Sequence, residues 1–311
     1  MEKNSTNMKI WGMSYGVLGD LIMGLPMLNY FEKKYPGSYK FWVIEKKCSI
    51  SAQLYFNHPL IDKIKITDEW SAFGEIDKKL MQECDIIAEC PPADKRGRYD
   101  WYNYESCVEH TAKLGGIEDF TEVLTEEERY PELVKWFDIG FSNKKSDTYS
   151  KNNQNDLSQF NKNIAIWPFA TGGRPGRSPS PKWWHLLINE LAKENFTVYH
   201  YGRSIEPKLS NSENYKCLTS LSFFDQVKSS LASKVAIGPD TGPMWIMGAY
   251  SHPAINLMTN HMLDHKKNLL ALAPINKNAV NLFGRYHNGI GCNNIPVKNV
   301  IAEINNTTEG V

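Results

Sequence analysis

The chain has 311 residues, too many for the usual single core of ~100–200 residues and comfortable for two. Its 41% hydrophobic and 23% charged residues exclude wholesale disorder, and the balance of 35 basic against 35 acidic residues disfavours a polycation that grips nucleic acid by its phosphates. Cys48, Cys84, Cys90, Cys107, Cys217 and Cys292 are scattered without a C-x-x-C pair, the pattern of reduced thiols in a cytosolic protein. Met1 to Lys9 lacks the apolar core of a signal peptide, and no apolar run approaches the ~18–20 residues that span a bilayer. The expected location is therefore cytoplasmic.

Along the chain, Lys9–Ser14 reads as a first strand, followed by a turn over Tyr15–Gly19. Leu21, Leu25, Leu28 and Phe31 then recur at helical spacing, with Asp20 as the expected N-cap, until Pro36-Gly37 ends the helix. Phe41–Glu45 is the second expected strand, Ser49–Phe56 a short helix, Lys63–Thr67 the third strand, Ile76–Met81 a helix and Asp85–Ala88 the fourth strand. Tyr99–Leu114 is expected to be helical. Strand and helix in alternation indicate a parallel sheet covered on both faces. From Phe141 to Lys162 the chain is rich in Asn, Ser, Lys and Gln and poor in apolar residues, so it reads as a linker.

The alternation restarts at Asn163–Trp167, a strand, and a Gly/Pro/Arg loop spans Ala170–Pro181. A helix carries Trp184, Leu187 and Leu191, and Thr197–Tyr201 is a strand. Phe224, Val227 and Leu231 mark a helix, Val235–Gly238 a strand, Gly242–Tyr250 a helix and Ala254–Met258 a strand. Val297, Ile301 and Ile304 mark a last amphipathic helix. The expected architecture is α/β: residues 1–145 and 163–311 form two Rossmann-like, doubly wound parallel-sheet domains facing a cleft, with a polar linker at 146–162. In such sheets ligands sit at the carboxyl ends of the strands.

Candidate chemistry lies at three strand-to-helix loops. Gly16-Val17-Leu18-Gly19-Asp20 opens the first helix. Gly16 and Gly19 let a backbone approach a ligand, although on residue type alone Asp20 reads first as a helix cap. The spacing of Gly12, Gly16 and Gly19 is not the dinucleotide fingerprint G-x-G-x-x-G. Asp240-Thr241-Gly242-Pro243 would offer a hydroxyl and backbone amides to a phosphate and a carboxylate to sugar hydroxyls; the alternative is an ordinary capped turn. Arg174, Arg177 and Lys182, interspersed with glycines, could neutralise a pyrophosphate, or the arginines could sit in a solvated loop. No Asp-x-Asp occurs, which counts against a metal-held pyrophosphate, and no metal site is expected. His261 and His265 have metal-pair spacing without a third ligand.

Four segments, in this order, resemble glycosyltransferase family nine, the ADP-heptose:lipopolysaccharide heptosyltransferases. They are GVLGDLIMGLPMLNYFEKKYPG from Gly16, Asn57-His58-Pro59-Leu60-Ile61-Asp62, IAIWPFATGGRPGRSPSPKWW from Ile164, and PDTGPMWIMGAY from Pro239. The resemblance implies a GT-B fold and metal-independent, inverting transfer without a cofactor. It implies Asp20 as general base, and Lys182, Thr241 and Gly242 as contacts to the donor diphosphate. Asp240 would touch the donor sugar, Glu206 the ribose and Leu221 the adenine. The implied partners are a nucleotide-sugar donor, ADP-heptose by default, and a glycan or glycolipid acceptor reached by transient contact with the inner membrane leaflet; nucleic acid is not among them. Trp245 stands where the family pattern has His, and residues 259–295 match no named segment. A nucleotide-sugar epimerase and a non-catalytic sugar-nucleotide-binding protein are the competing readings, because fold does not decide function.

Overall fold

Two parallel sheets organise the chain in this computed structural model, which describes residues 8–14, 18–45, 58–67, 83–90, 162–170, 176–250, 252–259, 278–285 and 290–306. The chain divides into two compact units, Met1–Val134 and Lys135–Val311. The helices expected at 49–56, 76–81 and 99–114, and nearly all of the polar linker, lie outside the described residues. Among the described residues no helix is long and apolar enough to cross a membrane.

In the first unit β1 (Lys9–Ser14), β2 (Tyr39–Glu45), β3 (Lys63–Thr67) and β4 (Ile86–Cys90) pair in parallel in the order β3-β2-β1-β4. Ile10 and Trp11, and Phe41 through Ile44, are buried as unbroken runs, as expected of strands covered on both faces. Gly12 faces Trp42 in register, and a methyl at Gly12 would overlap the buried indole. Helix α1 (Leu18–Lys34) buries Leu28 and Phe31 and ends with Lys33 and Lys34 against its negative pole. One expectation is corrected here. Asp20 is the third residue of α1 rather than its cap. An acidic residue is favoured both at the cap and in the first turn, so its presence does not distinguish the two.

The second unit contains β5 (Asn163–Ile166), α2 (Pro181–Lys193), β6 (Thr197–His200), β7 (Tyr215–Cys217), α3 (Phe223–Leu231), β8 (Val235–Pro239), α4 (Gly242–Ala249), β9 (Ala254–Thr259), β10 (Ala279–Gly284), a 3-10 turn (Gly291–Asn294) and α5 (Val297–Asn306). Its sheet runs β10-β9-β8-β5-β6-β7 with every neighbour parallel. The chain builds β5-β6-β7 outward in one direction, then returns to the centre and builds β8-β9-β10 in the other. The order reverses between β5 and β8, the topological switch point of a dinucleotide-type sheet.

Local chemistry explains the helices that flank it. Ser180 caps α2 by accepting the Trp183 N–H, Pro181 stands at the first position, and Trp184, Leu187, Ile188 and Leu191 form a buried stripe. Asn195, at φ 62°, takes the left-handed turn that ends this segment. Ser222 caps α3 in the same way, and α5 lays Val300 and Ile304 into the core next to α2. Strands β7 and β10 were not expected from the sequence. β7 has three residues, of which two are exposed, and β10 is only partly buried, so neither shows the apolar run that marks the central strands.

One ion pair in the first unit gives a stability test. Lys40, 2% exposed, places Nζ 2.5 Å from Glu32 Oε2 and 3.1 Å from the Ser38 carbonyl. The hydrogen bond from Lys40 holds the Glu32 carboxyl below the usual glutamate range, against the opposing effect of burial. A depressed carboxylate contributes stability that is present above its unfolded-state value and fades as pH falls through the lower folded value. Glu32→Gln is expected to cost about 1–2 kcal/mol at neutral pH, with the difference from the parent shrinking on acidification through that window. Urea denaturation followed by tryptophan fluorescence at several pH values measures this. An equal loss at every pH would refute the assignment.

Candidate functional site

The candidate site is built where β5 and β8 end side by side. Beyond Ile166 the pairing continues, because the Trp167 N–H donates to the Ile237 carbonyl at 2.9 Å. β8 ends at Pro239, and Asp240-Thr241 turns directly into α4. Gly238 permits this tight turn: a methyl there would meet Met244 Sδ at 2.9 Å and the Trp167 carbonyl at 3.0 Å. Thr241 occupies the N-cap position with φ −145° and ψ 156°. Its carbonyl accepts the N–H groups of Met244 (3.0 Å) and Trp245 (3.2 Å). Its side chain caps nothing: Oγ1 is buried and, among the described residues, has no hydrogen-bond partner. A buried hydroxyl that forgoes its usual partner is costly, and it lies beside the amide-rich, partly positive start of a helix.

Asp240 is the centre of the group. Arg177 donates from a terminal guanidinium nitrogen to Oδ2 at 2.7 Å, and the indole N–H of Trp245 donates to Oδ1 at 3.3 Å. Arg177 and Asp240 are 29% and 21% exposed, so the pair is partly shielded from solvent. The loop that carries Arg177 is fixed by the far end of the sheet. The Cys292 N–H donates to the Gly176 carbonyl at 2.8 Å, and the Ser180 N–H donates to Asn293 Oδ1 at 2.7 Å. The Cys292 thiol faces the carbonyls of Arg177 (3.1 Å) and Leu257 (3.3 Å). Burial, with the nearby Asp240 charge, pushes this thiol up to about 12, so it stays protonated and able to donate. Gly291, at φ 37°, takes a conformation suited to glycine, and a methyl there would overlap the Gly176 carbonyl.

A second group forms at the ends of β6 and β7. Glu206, with a side chain 5% exposed, faces His200 Nε2 and Arg203 Nε, each at 3.3 Å. A carboxylate only accepts, so Nε2 carries a proton. With that tautomer, Nδ1 accepts a hydrogen bond from the Tyr215 hydroxyl (2.7 Å), while the Tyr215 oxygen accepts the Leu209 N–H (3.1 Å). Burial pushes the Tyr215 hydroxyl well above its ordinary range, which keeps it a donor. Gln226 joins two loops: Oε1 accepts the Gly202 N–H at 2.7 Å and Nε2 donates to the Leu221 carbonyl at 2.9 Å.

The structure therefore gathers Arg177, Asp240, Thr241 and Gly242 at the switch point and links the Glu206 and Leu221 loops through Gln226. Lys182 is exposed at the second position of α2, and Gly19 and Asp20 lie in the first turn of α1. Gly16, Arg174, His261 and His265 lie outside the described residues. Among the described residues no three His, Cys, Asp or Glu side chains cluster to hold a metal ion. Sequence reasoning missed His200 and Cys292, and it noted Trp245 only as a departure from a pattern. The one signal for Trp245 was its position five residues after Asp240, less than two turns into the following helix.

No protein-family model and no curated protein matches the chain. Solved structures do match in fold. The Escherichia coli ADP-heptose lipopolysaccharide heptosyltransferase II is 17% identical, with a TM-score of 0.58 over 98% of this chain and 100% of that one. A family 9 glycosyl transferase from Veillonella parvula is 14% identical, with a TM-score of 0.60 over 100% and 99%. The E. coli heptosyltransferase WaaC with ADP-2-deoxy-2-fluoro heptose is 15% identical, with a TM-score of 0.57 over 96% and 99%. This chain has the α/β, GT-B type fold of these glycosyltransferase structures.

The unpartnered Thr241 hydroxyl gives a test that separates a ligand-facing residue from a structural one. Thr241→Val keeps the shape and removes only the unsatisfied oxygen, so stability is expected to stay within about 0.5 kcal/mol of the parent or to rise. Thermal unfolding measures it. A loss above about 1.5 kcal/mol would mean that the hydroxyl supports the fold.

Proposed function

We propose that this chain is an inverting, metal-independent glycosyltransferase of family nine that transfers heptose from ADP-heptose to a lipopolysaccharide-like or other surface-glycan acceptor. It would work in the cytoplasm, with transient contact to the inner membrane leaflet where the acceptor is anchored. The observation that carries this reading is the meeting of Arg177, Asp240, the unpartnered Thr241 hydroxyl and the start of α4 at the switch point. The likeness to heptosyltransferase structures, one of them holding an ADP-heptose analogue, supports the choice of donor.

The chemistry follows from charge. When the glycosidic bond to the donor breaks, negative charge appears on the departing diphosphate. Preorganised donors stabilise that charge without reorganising: the Thr241 hydroxyl, the Gly242 amide at the α4 start, and the cations Lys182 and Arg177, with Arg174 on the same loop. Asp240 accepts hydrogen bonds from sugar hydroxyls, Glu206 from the ribose, and Leu221 packs on the adenine. Asp20 takes the proton of the acceptor hydroxyl as it attacks the anomeric carbon from the face opposite the leaving group, which inverts the configuration.

A thermal-shift screen of nucleotide sugars tests the donor. ADP-heptose is expected to raise the melting temperature where UDP- and GDP-sugars do not; indifference to every nucleotide sugar would overturn the reading. Asp20→Ala is expected to cut transfer by about 10²–10⁴-fold while donor affinity, measured by calorimetry, stays nearly unchanged. Comparable transfer rates in variant and parent would remove Asp20 from this role.

A further inference from the structure

We infer that Trp245 is a positioning residue for Asp240, and that its indole N–H sets how selectively the site reads the donor sugar. The inference rests on the reading of Asp240 as the contact to that sugar. Trp245 is 2% exposed, so its N–H has no ready access to solvent and needs a protein partner; Asp240 Oδ1 at 3.3 Å provides it. Arg177 holds the other oxygen at 2.7 Å. The two donors come from different elements, α4 and the loop after β5. A carboxylate held at one oxygen still turns about its terminal torsion, which is intrinsically soft. Held at both, it has a fixed plane, and its remaining lone pairs point in fixed directions.

The indole is also tied to the neighbouring turn. The Trp245 main-chain N–H donates to the Thr241 carbonyl at 3.2 Å, so the residue that carries the indole is part of the first turn of α4. A sugar hydroxyl matching the fixed lone pairs gains a hydrogen bond to a shielded charge, and a mismatched one leaves that charge poorly solvated. Sites built this way discriminate strongly between close analogues. The arrangement separates two tasks within a few ångströms: the turn binds the anion common to all such donors, whereas the Trp245-oriented carboxylate distinguishes the sugar.

The test uses the full chain with Trp245→Phe, which keeps a ring in the slot but removes the N–H, and Trp245→His, which restores a ring N–H. Calorimetry compares ADP-heptose with ADP. Trp245→Phe is expected to weaken ADP-heptose about tenfold and ADP by less than about twofold, and Trp245→His to recover most of the difference. Equal effects on both ligands, or none on either, would overturn the positioning role while leaving the donor assignment intact. A parent that binds neither ligand overturns the donor assignment, and this proposal with it. If Trp245→Phe fails to fold, the indole resonances of ¹⁵N-labelled parent and Asp240→Asn decide the contact: a displaced Trp245 N–H signal supports it, and an unmoved one removes it.

Discussion

Everything at the candidate site depends on the reversal of strand order between β5 and β8. Because the chain leaves these adjacent strands toward opposite wings of the sheet, their two loops part above the strand ends instead of covering them. The Arg177–Asp240 pair reconnects the loops at that point. As a partly exposed ion pair it contributes little to stability, on the order of 0–1 kcal/mol. Its value is geometric. It fixes one loop against the other and keeps a cation and a carboxylate beside a helix start.

The second constraint is the support beneath that pair. Arg177 belongs to a loop whose main chain is held by Cys292 and Asn293, more than a hundred positions later. The contact is close because side chains are missing: a methyl on Gly284 would overlap the Gly291 carbonyl, and one on Gly291 the Gly176 carbonyl. Such a support leaves no motif of its own. Its residues act through small size, main-chain amides and a protonated thiol.

This explains what could be read from the sequence. The central strands were legible because they are buried on both faces and appear as unbroken apolar runs, such as Phe41–Ile44 and Val235–Ile237. The start of α4 was legible because Gly and Pro at that turn have few other uses, whereas α2 begins at Pro181, which the sequence reading left in the preceding loop. Asp240, Thr241 and Gly242 stood out for the same reason as the start of α4. The start of α1 was misplaced because an acidic residue suits both the cap and the first turn of a helix. β7 and β10 escaped because edge strands that are short or half exposed lack the apolar signal. Cys292 and His200 escaped because their contacts, Cys292 to Arg177 and His200 to Glu206, are fixed by tertiary packing and leave no motif in the sequence.

Gly202 changes how its loop should be understood. Glycine in a loop of this kind is commonly taken to clear space for a ligand. Here, at φ 154°, the vacated volume is filled by the protein's own Glu206 carboxylate. Any guest that recruits this acid must first draw it away from His200. If the outward rotamer were populated to one part in a hundred, apparent affinity would fall about a hundredfold below the intrinsic value. The loop is thus self-occupied, and every ligand that recruits Glu206 bears the same cost of displacing it.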